Sequence, residues 1–79
     1  MYKTYILYSS SIQKYYTGST QNLENRLMEH NGGETSSIKN GIPWVLIWQC
    51  EFTTRSEAIK QEKKIKSRGA FRFLQDMLK

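Results

Sequence analysis

The stretch YYTGSTQNLENRLMEHNGG, Tyr15 to Gly33, decides the architecture of this chain. It begins as a strand with two adjacent tyrosines, turns at a glycine and continues as a helix that a double glycine ends. Lys14 to Thr17 reads as a returning strand closed by Gly18. Ser19 or Thr20 then offers the side-chain oxygen that an N-cap needs to accept from a free backbone N–H of the first turn. The helix runs to about His30, and Asn31, Gly32 and Gly33 stop it, because glycine tolerates left-handed cap geometry. At about 100° per residue, Leu23 and Leu27 form an apolar stripe, with Arg26 and His30 stacked along its border. Two phenols, a guanidinium and an imidazole therefore fall within a single strand and helix.

Upstream, YKTYILY (residues 2–8) is rich in aromatic and β-branched types and reads as a strand. The polar SSSIQK joins it to Lys14, giving a hairpin with a loop longer than the tight two-residue type. Downstream, ETSSIKNGIP (34–43) is loop by composition. WVLIWQCEF (44–52) alternates Trp44, Leu46, Trp48, Cys50 and Phe52 against Val45, Ile47, Gln49 and Glu51, as expected of a central strand with both tryptophans in the core. Thr54-Arg55-Ser56-Glu57 has the form of a capping box opening a helix to about Lys66. Gly69 breaks the chain. AFRFLQDMLK reads as a last helix with Phe71, Leu74 and Leu78 on its buried stripe. The element order is β-β-α-β-α-α.

Seventy-nine residues give room for one domain, read as 1–79, and a core with little margin of stability. A hydrophobic content of 38% supports that core, while 24% charged residues argue against disorder. The lone Cys50 forms no internal disulfide and has no zinc-ligand spacing, which points to a reducing compartment, the cytoplasm. The N-terminus lacks a secretory pattern, and the longest apolar run, Trp44 to Trp48, is far short of a membrane span. The net charge of +5 is one-ended. Residues 1–54 balance four Lys/Arg against four Asp/Glu, whereas 55–79 carry eight against three. Such an imbalance suits a polyanion such as nucleic acid. Lys60, Lys63, Lys64, Lys66 and Arg68 are the candidate contacts. No residue pattern demands a particular oligomeric state.

On the second helix, Ala58, Ile59 and Ile65 define the apolar stripe, and Glu62 falls inside it. A buried carboxylate needs a cation, hydrogen-bond donors or a bound metal. Glu57 is accounted for by capping. Tyr2, Tyr5, Tyr8, Tyr15 and Tyr16 are good strand formers that packing alone would explain. Taken jointly with Arg26, His30 and Glu62, the phenols suit hydrolysis of a phosphodiester. A metal would sit on the carboxylate, the guanidinium on the phosphate, and a phenol or imidazole would handle the proton. A free phenol has a pKa near 10, so a tyrosine base needs a nearby cation.

The series T-Y-I-L, then Y-T-G-S-T-Q-N-L-x-x-R-L-x-x-H-N, then S-E-A-x-x-x-E-K-x-I-K resembles the GIY-YIG nuclease family over about residues 2–68, most closely its short stand-alone bacterial members. The resemblance implies an α+β fold, a small three-stranded antiparallel sheet flanked by helices, and metal-dependent endonuclease cleavage of DNA, in repair or processing with little sequence specificity. It sets Lys3-Thr4-Tyr5 and Tyr16-Thr17-Gly18 in place of the two family triplets. Arg26 matches the family arginine, His30 the histidine that often follows it, and Glu62 the glutamate that holds one Mg²⁺ or Mn²⁺. The implied base is Tyr5 or Tyr16, helped by His30. The chain departs from the pattern at Lys3-Thr4 and Thr17, and residues 74–77 read Leu-Gln-Asp-Met where many members have an asparagine. A catalytically weak nucleic-acid-binding or protein-interaction module on the same scaffold is the alternative.

Overall fold

Strand β1 (Tyr2–Ser9) carries the run Thr4-Tyr5-Ile6-Leu7, all four residues buried. A strand covered on both faces reads as a continuous apolar run rather than an alternation, and here it marks the middle of the sheet. The computed structural model describes residues 1–33 and 36–78, leaving aside the side chains of 36 and 37. Strands β2 (Lys14–Thr20) and β3 (Val45–Phe52) pair antiparallel with β1 on either side, in the order β2-β1-β3. The central strand is therefore β1, not residues 44–52. β3 is an edge strand, and its outward Val45, Ile47, Gln49 and Glu51 are exposed while its other face is partly covered. Its pairing slips between Ile6 and Leu7, which face Trp48 and Leu46 respectively.

The hairpin loop is residues 10–13, with Gln13 at a positive φ of 53°. β2 runs on past Gly18 to Thr20, because Gly18, Ser19 and Thr20 pair with Tyr5, Thr4 and Lys3. Helix α1 (Leu23–Asn31) consequently starts later than the sequence suggests. Its N-cap is Asn22, whose side chain accepts from the Asn25 N–H at 3.0 Å, and neither Ser19 nor Thr20 serves. Within the expected loop, Ser36–Gly41 forms a 3-10 helix, while Glu34 and Thr35 lie outside the described residues.

Helix α2 (Arg55–Arg68) opens with the expected capping box of Thr54 and Glu57, and Gly69 at φ 94° separates it from α3 (Ala70–Met77). Successive residues of β1 face opposite sides of the sheet. Tyr5 and Leu7 cluster with Leu23 and Trp44 beneath α1 and the 3-10 helix. On the other face, Thr4 Oγ1 donates to the Ala58 carbonyl at 2.7 Å, and Ile6 is buried, as are Ala58 and Ile65 of α2. Trp44 is core, and Trp48 packs edge-on against Phe73 at 5.1 Å. The inward residues of α3 are Phe73 and Leu74, whereas Phe71 and Leu78 are exposed, contrary to the stripe read from sequence. Phe73 and Leu74 are both partly buried, Phe73 through its contact with Trp48. Lys79 lies outside the described residues. No helix among the described residues is long and apolar enough to cross a membrane.

Candidate active site

Tyr5 and His30 form the interior of the site. The Tyr5 ring, 2% exposed, reaches under β2, where its hydroxyl lies 3.1 Å from His30 Nε2. Gly18 makes that approach possible. A Cβ at this position would sit 2.6 Å from Tyr5 Oη and 2.8 Å from Cζ, closer than side chains tolerate. The strand pairing places Gly18 opposite Tyr5, so this glycine is needed for its missing side chain rather than for ending a strand. Burial first, and then the neighbouring Tyr16, push the Tyr5 phenol above its ordinary value of 10. Arg26 opposes that shift and Glu62 adds to it, so both charges are felt at the phenol.

His30 is 1% exposed at the end of α1, far from the solvent-facing helix-end histidine that its position alone suggests. Burial, and secondarily Arg26, lower its pKa below 6.5, so the imidazole is neutral at neutral pH. Half-buried Tyr16 meets it edge-on, with ring centroids 5.1 Å apart, and stands 6.4 Å from Tyr5 and 6.3 Å from Trp44. The next residue, Asn31, clamps the β3 entry. It accepts from the Trp44 N–H at 2.6 Å and donates to the Trp44 carbonyl at 3.0 Å.

Arg26 faces outward from α1, 3.6 Å from Glu29. It lines a cleft of about 370 Å³ with Ser19, Asn22, Asn25 and Arg55. Glu62 sits across β2 on α2, half-buried as its place in the apolar stripe requires. Ser19 Oγ donates to its Oε1 at 2.7 Å, and Lys66 Nζ donates to its Oε2 at 2.7 Å. Of the partners left open by the sequence, a hydroxyl and a cation are thus both present. Ser19 belongs at once to the cleft that holds Arg26 and to the carboxylate. Sequence reasoning alone misses it because a serine just ahead of a helix reads as a cap. Extending β2 by three residues puts it on the face of Thr17 and Tyr15, toward α2.

Tyr5, Tyr16 and His30 are therefore in mutual contact, Arg26 is electrostatically coupled to the first and third, and Glu62 joins the group through Ser19. The basic residues are less uniform. Lys60, Lys63 and Lys64 are exposed on α2 with no ion pair to a described residue. Lys66 is held by Glu62, and Arg68 grips Asp76 with two bonds of 2.9 and 3.1 Å. Asp76 falls in the segment where many family members have an asparagine. Its engagement with Arg68 gives it a structural use.

The sequence matches the GIY-YIG catalytic domain over residues 1–72. The chain belongs to the GIY-YIG family. Relatives include the UPF0213 proteins of Staphylococcus haemolyticus, 42% identical over 66% of this chain and 65% of the relative, and of Oceanobacillus iheyensis, 37% identical over 75% and 70%. A UPF0213 protein of Halobacterium salinarum is 34% identical over 84% of this chain and 86% of its own. The matched region thus spans 65% of the length of the staphylococcal relative. No solved structure matches the chain. GIY-YIG membership places the domain among nuclease-type folds, whose members typically use a divalent ion.

The donor set suits such an ion if it is of the Mg²⁺ kind. Among the described residues no three His, Cys, Asp or Glu side chains gather as a metal cage. Mg²⁺ does not require one, since it keeps several waters and is held by one or two carboxylates together with substrate phosphate. Glu62 offers a hard oxygen pair oriented by Ser19. Lys66, 55% exposed, has room to swing away from it.

Proposed function

We propose that the protein is a divalent-metal-dependent endonuclease that hydrolyses DNA phosphodiester bonds, with little sequence specificity, in repair or processing in the cytoplasm. The observation that carries this reading is Glu62, a carboxylate oriented by Ser19 beside the cleft that presents Arg26. Glu62 would hold Mg²⁺ or Mn²⁺, which supplies positive charge at the phosphate and leaving oxygens. Arg26, whose ion pair among the described residues is the long 3.6 Å contact with Glu29, binds and neutralises the phosphate from the cleft wall. Tyr5 stays protonated because it is buried, so it acts as a fixed hydrogen-bonding group that orients His30 and not as the base. Tyr16, the less buried phenol, is then placed to receive the proton of the attacking water as its own phenolic proton passes to solvent, with neutral His30 against its ring. Lys60, Lys63 and Lys64 contact phosphates away from the reacting bond.

A second reading, a binding module without turnover, draws on the Lys66–Glu62 ion pair, which satisfies the carboxylate without a metal. Cleavage of labelled single-stranded, nicked, flapped and branched DNA in Mg²⁺ and Mn²⁺ separates the two, using wild type beside a folded Glu62→Gln variant. Metal-dependent cutting that vanishes in the variant is the expected outcome. Absence of cutting by both proteins, with salt-sensitive DNA binding retained, makes the binding module the better account.

A further inference from the structure

We infer that the groove between the end of the β1–β2 hairpin and the α2–α3 corner holds an unpaired nucleic-acid strand leading to Glu62, with Phe71 as its stacking platform. The strand's destination at Glu62 rests on the nuclease reading above. The groove itself rests on three separate observations.

The first is an aromatic ring that packing does not explain. Phe71 is 54% exposed on the second residue of α3. The inward positions of that helix are taken by Phe73, against Trp48, and by Leu74. Among the described residues the ring that Phe71 meets is Tyr15, at 6.3 Å between centroids, and Tyr15 in turn lies tilted against Tyr8 at 4.9 Å. The outermost ring of this series faces an open groove of about 620 Å³. The second observation is charge. Lys14, Lys66, Arg68 and Arg72 line the groove, and no carboxylate among the described residues does. Lys66 and Arg68 are engaged by Glu62 and Asp76, whereas Lys14 and Arg72 have no ion pair with a described residue. A cationic groove with an open aromatic face is the arrangement that tracks a phosphate backbone while stacking a base.

The third is continuity. Ser19 lines the cleft of Arg26, Lys66 lines this groove, and Glu62 is hydrogen-bonded to both. A strand lying in the groove would pass Lys66, which is bonded to one oxygen of the carboxylate whose other oxygen is bonded to Ser19 of the arginine's cleft. Base stacking on Phe71 requires a base that is not already paired and stacked within a duplex, so the groove selects a single strand or a flap.

The test is fluorescence anisotropy in EDTA with a labelled oligothymidine and a duplex of equal length, using wild type, Phe71→Ala, Phe71→Trp and Arg72→Gln. Phe71 is exposed, so these variants are expected to keep the wild-type melting temperature. The expected result is a loss of about five-fold or more in single-strand affinity for Phe71→Ala, with duplex affinity unchanged and Phe71→Trp restoring it. Arg72→Gln is expected to reduce the salt slope of single-strand binding by about 0.7. Equal effects of Phe71→Ala on both nucleic acids, or none on either, overturn the assignment. Displacement of the oligonucleotide by polyglutamate as readily as by unlabelled oligothymidine overturns it too, and gives the groove to acidic peptides. Because binding is read without metal, loss of the nuclease reading through Glu62→Gln leaves this result standing. A missing Phe71 effect, conversely, leaves metal-dependent cleavage intact.

Discussion

Gly18→Ala tests the packing on which the site is built. Gly18 is not at a positive φ, so alanine brings no backbone strain and the effect is steric alone. The new methyl would lie 2.6 Å from Tyr5 Oη and 2.8 Å from Cζ, both well inside contact distance. Tyr5 cannot retreat, since its ring is enclosed by the cluster of Leu7, Leu23 and Trp44. Overpacking of this kind costs about 1–3 kcal/mol, and displacing the hydroxyl from His30 adds about 1 kcal/mol for the lost hydrogen bond. A total of roughly 2–4 kcal/mol corresponds, for a domain of this size, to a fall in Tm on the order of 8–30 °C. Thermal unfolding followed by circular dichroism reads it, with Tyr5→Leu and the double variant completing a cycle. The double variant is expected to be less destabilised than the sum of the singles, by more than about 0.5 kcal/mol. A Gly18→Ala protein that melts within about 2 °C of wild type would refute the close approach of Tyr5 to β2, using the same size scaling.

Three further outcomes follow from the same geometry. His30 has a folded-state pKa below its unfolded value of 6.5, so its contribution to stability is complete above that pH and is lost as the pH falls through the lowered folded value; Tm should drop on acidification below 6.5 more steeply in wild type than in His30→Gln, and parallel curves would show that the buried imidazole is not responsible. Lys66→Ala removes a competing cation from Glu62 at a stability cost of less than about 1 kcal/mol, the pair being partly exposed; Mn²⁺ titration should give tighter binding than wild type, and an unchanged or weaker affinity would argue against a metal at Glu62. Asn31→Ala breaks two hydrogen bonds to the Trp44 backbone and should destabilise by about 1–3 kcal/mol; a denaturant midpoint equal to that of wild type would mean the clamp is replaced by water.

Much of the site is legible along single elements. Arg26 and His30 fall on one border of α1 because a helix repeats every 3.6 residues. Glu62 falls inside the apolar stripe of α2 for the same reason, and its half-buried position follows. The capping box of Thr54 and Glu57 is local and was readable in full. What failed was local reading of signals with a non-local cause. Gly18 looked like a terminus because glycine usually punctuates, yet here it stands in a ladder where Tyr5 crosses beneath it. That error displaced the helix cap from Asn22 to Ser19 or Thr20 and hid the Ser19–Glu62 bond, whose partners are 43 residues apart. The alternation of residues 44–52 identified a strand with one covered face, but alternation of that kind belongs as readily to an edge as to a centre.

Periodicity, capping and composition act over a few neighbouring residues, so the order of elements, the one-ended charge and the set of chemically capable side chains are readable along the chain. Which of those side chains meet is a matter of the folded packing. Packing buried His30 against Tyr5, made Tyr5 too enclosed to ionise readily, gave Glu62 its hydroxyl and its cation, and turned Phe71 out of α3 into a groove. Those outcomes depend on distances between elements remote in sequence, and burial and electrostatics are set by such distances.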